Sequence, residues 1–301
     1  MGETVRALLG DAIDYAGLFP PAGLDMATSA RNFAKYVAGP ASWALGRFIV
    51  PVSRLEEFNF AVSDLPAKDG APPWRLSALA GSDPGADLDR IRAFNRWHAE
   101  RDARLRAVID TFEIKAATPE LVSQASRELD PSFRVFFEIP IERDPADLVV
   151  AVAKIQRSAK VRTGGVTRDA FPTAAELARF MGAAIREGVS FKATAGLHHP
   201  IRGSWPLTYE GNAPRAMMHG FLNLLLCAAF MYDGMEREEA ERLLAEEDGK
   251  AFRFDGDGFE WEGNRLAADA IAAARERFVV SFGSCSFEEP VEDLRRLGLL
   301  P

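Results

Sequence analysis

The sequence predicts a (β/α)8 barrel with its functional end at the C-terminal rim of the strands. Two observations predict it. Short runs rich in Val, Ile and Phe alternate with helical patterns along all 301 residues, as βα units do. Polar and charged residues gather at the C-terminal ends of those runs, where a barrel builds its site. One barrel takes about 250 residues, so the length suits it. An open doubly wound sheet, built from the same alternation, stays as the structural alternative.

Eight strands are expected. In chain order they are 13–19 (IDYAGLF), 46–52 (GRFIVPV), 74–80 (WRLSALA), 105–114 (LRAVIDTFEI), 133–141 (FRVFFEIPI), 160–165 (KVRTGG), 189–196 (VSFKATAG) and 278–284 (FVVSFGS). A short helix at about 3–12 precedes the first. Asp25 caps a helix reaching about 38, and Ser53 caps SRLEEFNFAVS. A longer helix spans Asp83 to Arg101. Thr118-Pro119-Glu120 supplies a cap, a first-turn proline and an acid at the positive end of the dipole, and Asp144-Pro145 repeats the device. Thr173 opens TAAELARFMGAAIREG, which stops at Gly188.

The seventh and eighth strands are about 80 residues apart, more than one crossover needs. Within this insertion, at about 201–264, NAPRAMMHGFLNLLLCAAFMY reads as a buried helix and REEAERLLAEE as an exposed one. AFRFDGDGFEWEG reads as a hairpin turning at DGDG, and NRLAADAIAAARERF as the helix feeding the eighth strand. Such an insertion can cover the mouth of the barrel. No linker or low-complexity tract divides the chain, so a single domain is expected.

Composition excludes several classes. Apolar residues at 48% and charged residues at 27% fit a soluble globular protein. The net charge of −8, with no block of Lys and Arg, argues against nucleic acid. The most apolar run, 221–232, is too short to span a bilayer, and the start lacks the apolar core of a signal peptide. Cys227 and Cys285 are too few for a secreted disulfide framework. The expectation is a cytoplasmic protein binding a small anionic metabolite, with no membrane, no nucleic acid and no cofactor. A homo-oligomer stays open.

Lys192, inside the apolar strand FKATAG, is the sharpest candidate. A buried lysine needs carboxylate partners, and Glu138 and Glu113 can supply them. Beside Arg162 its ammonium is expected to lose stability, which makes the amine a nucleophile or base. The bland alternative is an ammonium that pairs structural acids or binds substrate. Glu138, Asp110 and His198 complete the catalytic set, as proton carriers and a donor. Arg162 can grip a carboxylate or phosphate, with Thr163, Gly164 and Gly165 opening the backbone beside it. Gly283, Ser284 and Ser286 suit a phosphate-gripping turn, or simply a capped one. Thr194 and His199 are further candidates for substrate contact. A metal held by His198 and His199 with Glu113 or Glu138, and helped by His219 and Asn223, is the alternative chemistry. Cys285 reads as a small packed residue, and His98 as solvent-facing on a charged helix. A barrel that binds an anionic metabolite without turnover is the third reading.

Four segments, taken in order, resemble the deoxyribose-phosphate aldolase type of class I aldolase. They are RVFFEI (134–139), VRTGGV (161–166), FKATAG (191–196) and SFGSCS (281–286), with Asp110 resembling that family's strand-four aspartate. The resemblance covers about 80 residues and implies a (β/α)8 fold and carbon–carbon cleavage through a lysine Schiff base. The family's imine-forming lysine belongs on the sixth strand, where Arg162 stands, and arginine cannot form an imine. Lys192 matches the family's second lysine. Either the two roles are exchanged, or the chemistry is of another kind.

Overall fold

Strand pairing closes the wall on itself. The computed structural model describes residues 2–65, 70–100 and 105–301. Helix α1 (Glu3–Leu9) leads into β1 (Ile13–Tyr15), followed by α2 (Met26–Ala38) and β2 (Leu45–Pro51). Then come α3 (Leu55–Val62), β3 (Trp74–Leu79), α4 (Pro84–Glu100), β4 (Ala107–Lys115), α5 (Pro119–Ser126) and β5 (Arg134–Glu138). Helix α6 (Ala146–Lys154), β6 (Ser158–Arg162), α7 (Ala174–Arg186) and β7 (Phe191–Thr194) continue the alternation. The long connection holds β8 (Gly203–Pro206), β9 (Arg215–Met218), α8 (Phe221–Tyr232), α9 (Arg237–Ala245), β10 (Arg253–Phe254), β11 (Gly258–Trp261), β12 (Asn264–Ala267) and α10 (Ala268–Arg277). The chain ends in β13 (Val279–Ser284) and α11 (Glu288–Arg296).

Strands β1 to β7 run round the wall in order, all parallel, and β13 enters between β7 and β1 to close it. This is the (β/α)8 barrel expected, not the open sheet. Side chains alternate across the wall as the pleat requires. Phe48, Phe112, Phe137, Phe191 and Phe282 face outward into the apolar layer under the helices. There Tyr15, Phe33, Phe48, Phe58 and Trp74 pack ring against ring.

Local signals placed the helices well. Asp25 accepts the Thr28 N–H as a cap, and Thr118 accepts that of Leu121. Thr173 and Glu176 form a reciprocal capping box, and Gly188 follows α7 at φ +65°. At Asp144, the carboxylate accepts the Ala146 N–H at the start of α6. Ser53 caps nothing: a 3-10 turn over Val52–Arg54 precedes α3, whose cap position is Arg54. Arg101, expected to end α4, lies outside the described residues.

The insertion differs from its expected form in three places. The stretch before α8 is β9, which pairs with β8 in an antiparallel hairpin. The DGDG hairpin gains a third strand, because NRLA forms β12 against β11. Helix α8 is buried on nearly every side and packs against β13, α7, α9 and α10, so it belongs to the ring around the barrel. Among the described residues, only the β8–β9 hairpin keeps a separate apolar cluster, of Leu207, Ala216 and Met218 with Phe171 and Trp205. His98 is buried rather than solvent-facing: Nε2 meets Asn59 Oδ1 at 3.0 Å and Nδ1 accepts the Ala107 N–H. Among the described residues no helix is long and apolar enough to cross a membrane.

Candidate functional site

Inward-facing residues of seven strands meet in one layer near the C-terminal rim. Strand β6 puts Lys160 directly beside Lys192 of β7, and β5 puts Glu138 beside Lys160. Lys192 Nζ donates to Asp14 Oδ2 at 2.6 Å and to Glu113 Oε1 at 2.8 Å. Lys160 Nζ lies 2.6 Å from Glu113 Oε2 and 2.7 Å from Glu138 Oε2. Glu113 therefore bridges the two ammonium groups. Ser77 of β3 donates to Glu113 at 2.6 Å, and Ser281 of β13 to Asp14 at 2.7 Å. Beneath them Lys192 Nζ stands 5.6 Å from the Phe136 ring centroid.

Three carboxylates against two ammonium groups leave one negative charge, and Arg162 balances it, Nη1 lying 3.9 Å from Glu138 Oε1. Lys192 is 1% exposed and Glu113 4%, whereas the Arg162 side chain is 53% exposed and reaches the rim.

Burial by itself would push the Glu113 carboxyl up. The charges of Lys160 and Lys192 and their hydrogen bonds outweigh it and hold the group well below the usual carboxylate range. Burial by itself would push the Lys192 ammonium down, but Asp14 and Glu113 outweigh it and raise the group above an ordinary lysine. The expected lowering of Lys192 by Arg162 is thereby corrected: carboxylates, not a cation, touch its Nζ.

The layer forms the floor of a cavity of about 340 Å³. Glu113, Glu138, Lys160, Lys192, Arg162 and Lys115 supply its charges. Phe19, Pro20 and Pro21 of the loop after β1, with Ile49, Leu79 and Val166, supply its apolar wall. Ala16, Thr194, Ala195, Gly196, Gly165, Gly283, His198 and Cys285 complete the lining. Charged groups on the floor with an apolar wall above them make a pocket that can hold a small polar molecule and exclude water from it.

The structure brings Lys192, Glu138, His198, Arg162, Thr194, Gly165 and Gly283 together in the lining of this cavity. The other expected site residues stand elsewhere. Asp110 is the extra residue of a bulge in β4, between Ile109 and Thr111, and it grips Arg47 through Oδ1 at 2.5 Å and Oδ2 at 2.8 Å. Thr163 faces outward and donates to Ala195 O at 2.6 Å, which ties the ends of β6 and β7 together. That bond holds Ala195 at φ +67°, a conformation costly for a residue with a Cβ. Gly164 packs back to back with Gly196, where an added Cβ would come within 2.9 Å of the Gly196 Cα. The absence of a Cβ there allows the close approach of two loops.

Ser284 is buried, and Ser286 Oγ accepts the Glu289 N–H as α11 begins. The first turn of α11 carries Glu288 and Glu289, so its N-terminus is already supplied with negative charge. His199 turns away from His198, bonds Asp293 Oδ2 at 2.6 Å and stacks on Trp205 at 3.7 Å, fixing the hairpin to α11. His219 donates to or accepts from no carboxylate here; its Nε2 meets Pro172 O at 2.6 Å. Asn223 accepts the Arg202 N–H and donates to Leu243 O and Glu246 O. The metal-ligand set read from the sequence is thus not assembled, and no His, Cys, Asp and Glu cluster suited to a metal occurs among the described residues.

Lys160, Lys115, Glu289, Tyr209, Ser77 and Ser281 were not singled out in the sequence. Glu289 Oε2 lies 3.5 Å from His198 Nδ1 and accepts from Tyr209 OH at 2.8 Å. Tyr209 sits in the turn of the β8–β9 hairpin, so the insertion reaches the edge of the cavity beside Cys285 and Glu289. Burial would lower His198, but hydrogen bonds to Cys285 and Glu289 outweigh that and raise it to about 9. Compared with known families and curated proteins, the chain matches no family model and no curated sequence.

Proposed function

We propose that the cavity is the active site of an aldolase-like lyase for a small anionic carbonyl compound, with Lys160 as the amine and Lys192 as its charged neighbour. One observation carries this reading: two buried ammonium groups stand side by side on β6 and β7, bridged by Glu113, on the floor of the cavity. Taking such ions out of water costs several kcal/mol each, and apolar side chains would fill the same space at less cost. Their concentration at a cavity favours chemistry over mere packing.

The roles follow from the contacts. Asp14 and Glu113 keep Lys192 charged. Glu138, 2.7 Å from Lys160 Nζ, can take the Lys160 proton. The free amine adds to the substrate carbonyl carbon. Glu138 returns the proton to the departing hydroxyl, water leaves, and a protonated imine remains. As the neighbouring carbon–carbon bond breaks, its electron pair moves into the imine, and Glu138 accepts the proton of the β-hydroxyl that becomes the product aldehyde. Arg162 and Lys115 at the rim hold the anionic group of the substrate. In this reading Lys160 supplies the sixth-strand lysine that the aldolase resemblance calls for, and Lys192 keeps the second role.

Sodium borohydride added with small oxo-acids and sugar phosphates tests it. The expected result is a reduced adduct on the peptide carrying Lys160. A substrate that is turned over with no adduct on either lysine rules out the imine.

A non-catalytic binder of anionic metabolites draws on a different observation, that every charge in the cluster already has a partner. A metabolite that raises the melting temperature without being consumed would favour that reading.

A further inference from the structure

Cys285 and His198 line the same cavity as the lysines, yet the lysine chemistry does not use the thiol. Cys285 Sγ is 3.7 Å from His198 Nδ1, the nitrogen that Glu289 also approaches at 3.5 Å. Tyr209 OH, bonded to Glu289 at 2.8 Å, stands 3.6 Å from the same sulfur. Among the described residues His198 Nε2 has no protein partner. The second cysteine gives an internal contrast. Cys227 is fully buried in α8, its Sγ donates to Ala240 O, and burial pushes its thiol up.

We propose that Cys285 and His198 form a nucleophilic thiol site at the rim, which captures small aldehydes as hemithioacetals. His198 stands beside the sulfur as an imidazolium held by Glu289, and the thiol proton leaves to solvent. The sulfur lone pair forms a bond to the carbonyl carbon. The carbonyl π pair moves onto oxygen, which receives a proton from the His198 imidazolium, and His198 regains one from solvent. Thiol and aldehyde combine with nothing left over, so no oxidant is required. Tyr209 and Glu289 are positioning residues that act through His198. The choice of an aldehyde rests on the reading of the cavity as a carbonyl site; the reactivity of the thiol does not.

Peptide-level mass spectrometry after a short pulse of iodoacetamide at about pH 7 reads nucleophilicity, because the thiolate is the reacting form. A mercurial titration reads access. In the wild type, Cys285 should be alkylated at least about tenfold faster than Cys227. His198→Asn should slow Cys285 alkylation by about tenfold or more while leaving its mercurial titration complete. A ¹³C-labelled small aldehyde should give a resonance for a carbon bonded to both sulfur and oxygen, abolished by Cys285→Ser. An unchanged alkylation rate in His198→Asn, or no resonance that depends on Cys285, overturns the proposal. Borohydride reduces imines and not hemithioacetals, so a lysine adduct, present or absent, decides the lyase reading separately.

Discussion

The interior of the barrel holds two sets of charged side chains at different heights. Toward the N-terminal ends of the strands, Arg47 grips Asp110 through two parallel hydrogen bonds, and Arg134 lies close enough to feel both charges. Nearer the C-terminal rim, Lys160 and Lys192 share Glu113 and reach out to Glu138 and Asp14. Both sets are paired, and pairing alone does not separate them. They differ in what lies next to them: the upper set forms the floor of a cavity and the lower pair is absent from its lining. A bidentate arginine–carboxylate pair is closed to further partners, whereas bridged lysines can exchange one carboxylate contact for a substrate.

Three experiments would break or sharpen that contrast. Lys160→Met should lower turnover per folded molecule by about a thousandfold or more, and should cost about 3–5 kcal/mol of stability because Glu113 and Glu138 lose a partner. Steady-state kinetics and urea unfolding measure the two effects. A variant that keeps near-normal turnover would make the upper set structural, like the lower.

The His198 charge comes next in size. Its pKa is raised from 6.5 to about 9, so the imidazolium contribution is fully present below about pH 6.5 and is lost as pH rises through about 9. The stability difference between wild type and His198→Gln should therefore shrink by a few kcal/mol between about pH 6 and about pH 10. A constant difference across that range would mean that the imidazole is neutral throughout.

Asp110→Asn should have the smallest effect on function. Loss of the ionic contact to Arg47 should cost about 1–3 kcal/mol in urea unfolding, while turnover per folded molecule stays within about twofold. A large drop in turnover would return Asp110 to the catalytic set and erase the distinction between the two levels.

The barrel was legible because alternation and capping are local. All eight wall strands fall within their expected segments or within two residues of them, and Asp25, Thr118 and Thr173 cap where their side chains predict. The site was half legible. Lys160 was passed over because the sixth strand was begun at 160, whereas it starts at Ser158. Counting back by two from Arg162 along the true strand would have put Lys160 on the inner face. Asp110 misled because a bulge shifts the inward positions of β4 by one, and no local pattern announces a bulge. His98 reads as solvent-facing in a charged helix, and only the tertiary partner Asn59, from α3, explains its burial. Glu289 could not be tied to His198 because about 90 residues separate them.

The β8–β9 hairpin touches the mouth through Tyr209 but keeps its own small apolar cluster, apart from the main core. Helix α8 and the β10–β12 sheet have no such independence, since Phe221, Phe230, Phe259 and Trp261 are keyed into the main core. The turn of the hairpin can thus be shortened or lengthened with little loss to the scaffold, while Trp205 stays stacked on His199. What the entrance admits becomes adjustable without touching the lysines on the floor below it, so long as Tyr209 keeps its place beside Glu289, a division of labour that would let one barrel accept ligands of different sizes.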